Sequence, residues 1–504
     1  MSESFTKTSM TITFHNTLAR KKEAFTPLES GKVRMYCCGI TVYDYCHLGH
    51  ARTCLIWDVA RRYLQWRGYD VTYIQNFTDI DDKILNRARK EGITMEEVSE
   101  RFIAAYFEDM KRLGIGEADV YPRATHTLDG IKRLVTELEE KGYAYPSQGD
   151  VYYQVRQFKQ YGQLSGRKLE DMQAGASGRV AVESAEDTKK KDPFDFALWK
   201  ASKPGEPAWE SPWGSGRPGW HIECSAMVRD RLGETIDIHV GGSDLVFPHH
   251  ENEIAQSEAV TGKPLARYWM HNGMVRVNGE KMSKSLGNFT TIRDLLDGKW
   301  WFPNQTPRDK PIEPMAIRLF VLQAHYRKPL DFTEDALEAA ANGWQTLKEG
   351  LLFGDKYGKQ LNWDNLDILA TGTNLWAERF TAIIDDDLNF AGGLAVLFEI
   401  AKELRKEGNI IVHEGKTETD SLQLYHQWRS LVELAEVLGF TVEPEAESEA
   451  TEGLSDADIE TLIQKRTEAR KAKDFAESDR IRDELSAQGI TLIDQPGGVT
   501  KWHR

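Results

Sequence analysis

Val33 and the apolar run Met35–Cys38 make Lys32 to Cys38 read as a short buried strand. After a glycine-containing turn apolar residues recur near helical spacing from Leu48 to Trp66, which predicts a helix. Val71–Phe77 reads as a second strand and Lys83–Lys90 as a second helix, the opening of a doubly wound α/β sheet. Residues 95–145 look helical, and the Pro-, Gly- and Trp-rich stretch Lys189–Trp220 reads as loops that return an insertion, about 110–215, to the main domain. Strand-like sequence resumes at Thr235–Val240, with a helix predicted from His249. From Glu313 to about Leu438 the pattern is mainly amphipathic helix and suggests a bundle. A last module from Asp458 holds two helices, the second ending near Gly489, then a short apolar strand and a turn at Gln495–Gly498. There is no internal repeat.

Composition adds bounds to this outline. A chain of 504 residues exceeds one ordinary core and divides into several domains. Charges interrupt every apolar run well before the ~20 residues a bilayer span needs, so no membrane segment is expected. The first fifteen residues lack an apolar block behind a basic cluster, which leaves a cytoplasmic location as the expectation. Five cysteines, four of them crowded between Cys37 and Cys54 and the fifth at Cys224, form a poor disulfide framework and suit reduced thiols, some of them metal ligands. The net charge of -15 argues against a nucleic-acid partner only at first sight. Residues 443–460 carry eight Asp or Glu and no Lys or Arg, more than half of the excess, and a block of like charge reads as an exposed linker.

Two short motifs bear chemistry. His47-Leu48-Gly49-His50 stands where the first strand's loop enters the helix, where free N–H groups and the helix dipole favour anions. Two imidazoles there would face one phosphate, with Gly49 admitting the nucleotide to the backbone, although such a pair is ordinarily structural. Lys281-Met282-Ser283-Lys284-Ser285 follows a glycine turn, and lysines on such a loop suit a triphosphate whose charge moves towards a leaving pyrophosphate. A solvated basic loop is the plain reading of either lysine alone. In this order the two motifs resemble the HIGH and KMSKS signatures of class I aminoacyl-tRNA synthetases, with Leu48 in place of Ile.

Cys38, Cys224, His249 and Glu253 offer two soft thiolates, an imidazole and a carboxylate, a mixture suited to Zn²⁺. His249 and Glu253 would share a helix face. Spacing alone favours inert buried cysteines, since no CxxC pair is present. The surrounding text, MYCCGITVYDY at 35–45, NFTDIDDK at 76–83, GWHIECSAM at 219–227 and DIHVGGSDLVFPHHENEIAQ at 237–256, resembles the cysteinyl-tRNA synthetase family over nearly the whole chain. That resemblance implies zinc on Cys38, Cys224, His249 and Glu253. It implies substrate cysteine near Gly39, Thr41, Trp220 and His239, though a core aromatic and a structural histidine fit the last two equally. It implies that His47, Gly49, His50, Lys281 and Lys284 bind ATP, with His47, His50, Lys281 and Lys284 catalytic and Mg²⁺ on the triphosphate. Cys37 would point away from the metal if its segment is a strand. Residues 464–484 mix cations and acids as a solvated helix face does, while the closing Gly497–Arg504 resembles the family's anticodon module, with Trp502 and Arg504 as tRNA contacts. Asp297–Pro314 departs from the family pattern as an insertion, expected to be a rigid surface excursion near the catalytic loop.

The expected fold class is therefore α/β. A Rossmann-like parallel-sheet catalytic domain (1–275) is followed by a KMSKS-bearing connecting region (276–330), an α-helical bundle (331–442), the acidic linker (443–460) and a small C-terminal α+β anticodon-binding domain (461–504). The expected activity is cysteine–tRNA ligation by a monomer acting on ATP, L-cysteine and tRNA(Cys). An ATP-dependent ligase joining cysteine to a small amine, and a non-catalytic zinc RNA-binding protein, are the alternatives. The helices beyond residue 313 count against the first, and intact His and Lys in both motifs against the second.

Overall fold

The structure, a computed structural model, describes residues 11–171, 189–282, 288–300, 310–366, 374–443, 456–472, 474–488, 490–495 and 499–503. Four strands, β1 (Lys32–Thr41), β2 (Asp70–Thr78), β3 (Ile236–Gly242) and β4 (Ala266–Asn272), pair in parallel in the order β4-β3-β1-β2. Helix α1 (Leu48–Trp66) carries the chain from β1 to β2, and β3 returns on the other side of β1. The strand order thus reverses at β1, and a crevice opens beyond the carboxyl ends of β1 and β3.

Both faces of this sheet are covered, which explains why Met35–Cys38 of β1 are buried without alternation. Cys37 belongs to the core shared with α1, and Cys38 to the core on the other face. That second core includes Ile222 and Val228 of helix Trp220–Leu232 and Ile254 of helix Glu251–Thr261. In register, Tyr36 lies opposite His239 and Trp269 opposite His239 from the far side, so β1, β3 and β4 line up their central residues.

The bundle helices Pro314–Leu322, Glu334–Leu351, Leu375–Ile384, Phe390–Glu414 and Ser421–Val437 share the core beneath α1 through Trp57, Leu319, Leu397 and Leu431. Between β4 and the bundle, strand Val275–Val277 pairs with Glu280–Lys281 in a hairpin and with Leu330–Phe332 in parallel. The chain falls into two compact units, Met1–Val442 and Glu443–Arg504. In the second, helices Asp456–Lys471 and Phe475–Ala487 and a hairpin of Thr491–Gln495 with Val499–His503 enclose Ile459, Ile463, Ile481, Leu485 and Ile490.

Two expectations change. Residues 95–145 are not one helical stretch. After helix Met95–Arg112 the chain runs extended beside β2, bridging Ile74 to Val120 and Phe77 to Arg123, and returns through a 3-10 turn at Ala124–His126 to an α-helix at Leu128–Glu140. Within Lys189–Trp220, read as loops, Phe196–Ala201 and Gly216–Pro218 are strands that complete an antiparallel sheet with Ala144–Ser147 and Asp150–Tyr153. Dense Pro and Gly around them hid the alternation. The expected excursion Asp297–Pro314 is described only at its ends, where Trp300 is buried, its indole N–H donates to the Lys310 carbonyl at 3.2 Å, and the Ile312 amide donates to Leu295 O at 3.0 Å. Residues 301–309 and most of the acidic stretch, 444–455, lie outside the described residues.

Candidate active site

The crevice at the strand switch holds a cleft of about 290 Å³. Cys38, Gly39, Ile40 and Thr41 of β1, His47, Gly49, His50 and Thr53 of α1 and its cap, Gly242, Asn272 and Gly273 at the ends of β3 and β4, and Lys83, Trp220 and Met282 line it. Gly39 is needed by sheet geometry. The β1–β2 register shifts between Cys37 and Ile40, and a Cβ on Gly39 would lie 1.7 Å from the Asn76 carbonyl oxygen. The Gly39 amide donates instead to Asn76 Oδ1 at 2.9 Å.

His47 is the N-cap of α1. Its Nδ1 accepts from the amides of Gly49 (3.0 Å) and His50 (3.3 Å), while His50 Nδ1 accepts from the His47 amide at 3.3 Å. This is a capping box built from two histidines, and the rings stack with centroids 3.7 Å apart. Both Nδ1 atoms act as acceptors, so each neutral ring carries its proton on Nε2. Burial holds His47 down to about 4 and His50 well below the usual imidazole range, and the nearby Lys83 charge adds to both effects. The role of Gly49 also becomes specific: a Cβ there would meet the His47 ring at 2.8 Å. Glycine at this position seats the imidazole in its cap.

The lysine loop flanks this motif. Met282 reaches within 3.5 Å of the Gly49 Cβ position, the Phe289 ring meets His47 edge-on at 5.2 Å, and the Ile292 amide donates to Cys46 O at 2.9 Å. Lys281 is exposed at the end of its short strand, and its carbonyl accepts from Asn288 Nδ2 at 3.1 Å. Lys284 lies outside the described residues.

At the cleft's inner end, Cys38, Cys224, His249 and Glu253 bring one donor atom each within 4.8 Å of one another, all buried. Cys38 Sγ is 3.4 Å from His249 Nε2 and 3.2 Å from Glu253 Oε1, and His249 Nε2 is 3.1 Å from the same Oε1. Hydrogen bonding with Cys38 draws the Cys224 thiol down to about 6. Burial opposes charge on His249 and Glu253, yet Glu253 and Cys224 raise His249 to about 9, and His239 and His249 keep the Glu253 carboxyl ionised. Two thiols, an imidazole and a carboxylate converging in a dry site fit a soft divalent cation that would displace the protons they share. A second set, Cys38, His239, His250 and Glu253, overlaps the first. With one thiol in place of two it is the harder site.

Trp220 stacks on His249 with centroids 4.2 Å apart and lines the cleft. His239 is wholly buried behind Glu253, its Nε2 3.0 Å from Oε2. In the second unit Trp502 is half-buried against the small core and donates to Glu460 Oε1 at 3.0 Å; Arg504 lies outside the described residues. Sequence reading passed over Asn76, which bonds Gly39 and lies 3.7 Å from Cys224 Sγ, and Lys83. Both sit in NFTDIDDK, a stretch without metal or phosphate spacing of its own.

Among the described residues no helix is long and apolar enough to cross a membrane. Residues 24–342 match the family described as tRNA synthetases class I (C) catalytic domain, 379–443 the DALR domain and 452–501 the cysteinyl-tRNA ligase anticodon binding domain. A cysteine–tRNA ligase of Gloeothece citriformis is 73% identical over 98% of this chain and 100% of its own length, and one of a Synechocystis species 65% identical over the same shares. The fold resembles Mycobacterium tuberculosis methionyl-tRNA synthetase in complex with methionyl-adenylate, with TM-score 0.54, 16% identity, and 81% of this chain and 89% of that one covered. A LeuRS of Agrobacterium radiobacter, in a ternary complex, gives TM-score 0.55 at 12% identity over 83% and 87%. With its catalytic, helical and anticodon-binding parts all matched along one chain, the protein belongs to the cysteine–tRNA ligase family of class I aminoacyl-tRNA synthetases.

Proposed function

We propose that this chain activates L-cysteine with ATP, giving cysteinyl adenylate and pyrophosphate, and transfers cysteine to the terminal adenosine of tRNA(Cys), acting as a cytoplasmic monomer. One observation carries the reading: a single cleft joins the histidine pair capping α1 to Cys38, a member of the buried thiol, imidazole and carboxylate cluster. The cysteine carboxylate attacks the α-phosphorus in line, the bond to the β-phosphate oxygen breaks, and pyrophosphate leaves with the electron pair. His47 and His50, neutral near pH 7, point Nε2–H donors at oxygens on which charge gathers in the transition state. Neither ring gains or loses a proton in that step. Lys281 and Lys284 neutralise the departing pyrophosphate, and Mg²⁺ accompanies the triphosphate. Gly39 and Thr41 border the amino acid on the strand side, and Trp220 closes over His249. His239 holds Glu253 in place and so acts through it.

Cys38, Cys224, His249 and Glu253 would hold Zn²⁺. When bound, it supplies a soft Lewis acid that takes an ionised thiol far better than the hydroxyl of serine. An apolar pocket separates such one-atom differences by only ~1 to 3 kcal/mol, so the metal supplies selectivity that shape does not. Five unpaired, buried cysteines suit a reducing compartment.

Cysteine-dependent exchange of labelled pyrophosphate into ATP, followed by charging of tRNA(Cys), tests the reading. Both activities are expected. Exchange without charging would indicate a small-amine ligase, and no exchange a binding protein.

A further inference from the structure

We propose that Lys83 is a further catalytic residue of the activation step, binding the triphosphate of ATP beside the two histidines. The proposal rests on cysteine activation in the same cleft. Helix α2 (Asp82–Glu91) begins at the carboxyl end of the sheet, directly after β2, with Asp81 as its N-cap accepting from the Lys83 amide at 2.8 Å. Ile84 and Leu85 are buried, which turns the exposed Lys83 towards the crevice. Among the described residues that line the cleft, Lys83 is the one lysine or arginine; Lys281 is not among them.

Its ammonium lies 5.0 Å from the ring centroid of Tyr43, which lines the same cleft, so an aromatic face holds the charge there. Lys83 lines the same cleft as His47 and His50, and its charge adds to the lowering of both imidazoles. Asp81 caps the helix, and Asp82 accepts from Arg217 at 2.5 Å. A helix start and an aromatic ring thus hold this cation in the cleft. It meets the triphosphate as ATP enters and stays beside the bridging oxygen as the α–β bond breaks. No proton moves at Lys83, which remains an ammonium while pyrophosphate takes the bond pair.

Full-length, zinc-loaded wild type, Lys83→Ala and Lys83→Arg are compared by pyrophosphate exchange and by single-turnover transfer from preformed cysteinyl adenylate to tRNA. In Lys83→Ala, kcat/KM for ATP should fall by about 10²-fold, the scale of losing one preorganised charge contact. The KM for cysteine, the zinc content and the transfer rate should stay at wild-type values, and Lys83→Arg should regain part of the loss. Exchange within twofold of wild type in Lys83→Ala would overturn the proposal. So would normal exchange with a loss confined to transfer, because Lys83 would then serve the phosphates of the tRNA end. Failure of the underlying reading would appear separately, as absence of exchange in the wild type.

Discussion

At the scale of single residues the site depends on which atoms are committed elsewhere. His47 spends Nδ1 on two backbone amides, so its Nε2–H faces the cleft as a donor of fixed tautomer. With its pKa held near 4 by burial, it stays uncharged across the neutral range, and the pH profile of exchange between 6 and 8 should carry no His47 ionisation. An inflection near 6.5 that disappears in His47→Asn would show otherwise. The same shift has a sign for stability: the folded chain holds His47 near 4, while the unfolded chain titrates near 6.5 and binds the proton more readily. Stability from this residue is therefore complete above about 6.5 and lost as pH falls towards 4. Thermal unfolding measured from pH 7 to 4.5 should show a falling midpoint, with a shallower slope in His47→Gln. Gly49→Ala should displace the ring, because a Cβ would sit 2.8 Å from it, and lower exchange without loss of zinc. Wild-type exchange in that variant would mean the ring's seat is not needed. The sequence showed that two imidazoles stood at a helix start, but not that they cap it for each other, because a histidine capping box has no composition signal apart from the pair itself.

At the scale of elements α1 does more than carry the histidines. Arg52 is fully buried and donates to the carbonyls of Met274 (2.8 Å), Tyr326 (3.1 Å) and Lys328. Those carbonyls lie just before strands Val275–Val277 and Leu330–Phe332, so one guanidinium ties α1 to the sheet that bears Lys281. Burial lowers its pKa to about 10, still charged at neutral pH. Arg52→Met leaves three carbonyls without this donor and should cost about 2 to 4 kcal/mol in urea unfolding while slowing exchange. Unchanged stability and exchange would remove Arg52 from this role. Elements with strong periodicity were legible: α1 spans Leu48–Trp66 as the spacing predicts, β1 and β2 extend the predicted strands by one to three residues at an end, and β3 starts one residue later and ends two later than Thr235–Val240. The antiparallel sheet over residues 144–218 was not, since its four strands are three to six residues long and separated by turns rich in Gly and Pro. The hairpin partner Val499–His503 was missed for the same reason: five residues with no apolar alternation long enough to register.

At the scale of the whole molecule, the chain forms two compact units, and the cleft and the buried thiol, imidazole and carboxylate cluster both lie in the first. The net charge of -15 gathers strongly in residues 443–460 and does not describe either unit's binding surface. Among the described residues of the second unit five apolar side chains are buried together, with Leu462, Leu492 and Trp502 packed against them. Trp502→Ala should therefore cost that unit about 3 kcal/mol or more. Charging of tRNA(Cys) should fall while pyrophosphate exchange, a property of the first unit, stays at wild type; an equal loss of both would contradict this division. The cluster that could hold a metal was legible only through the text around it, because Cys38 and Cys224 lie on distant segments that the sheet and the helix packed on it bring together. The most direct measurement is the zinc content of the purified protein taken together with its exchange rates on cysteine and on serine. One zinc per chain, exchange with cysteine but not serine, and loss of both in Cys224→Ser is the expected result. Protein free of zinc that still prefers cysteine would contradict it.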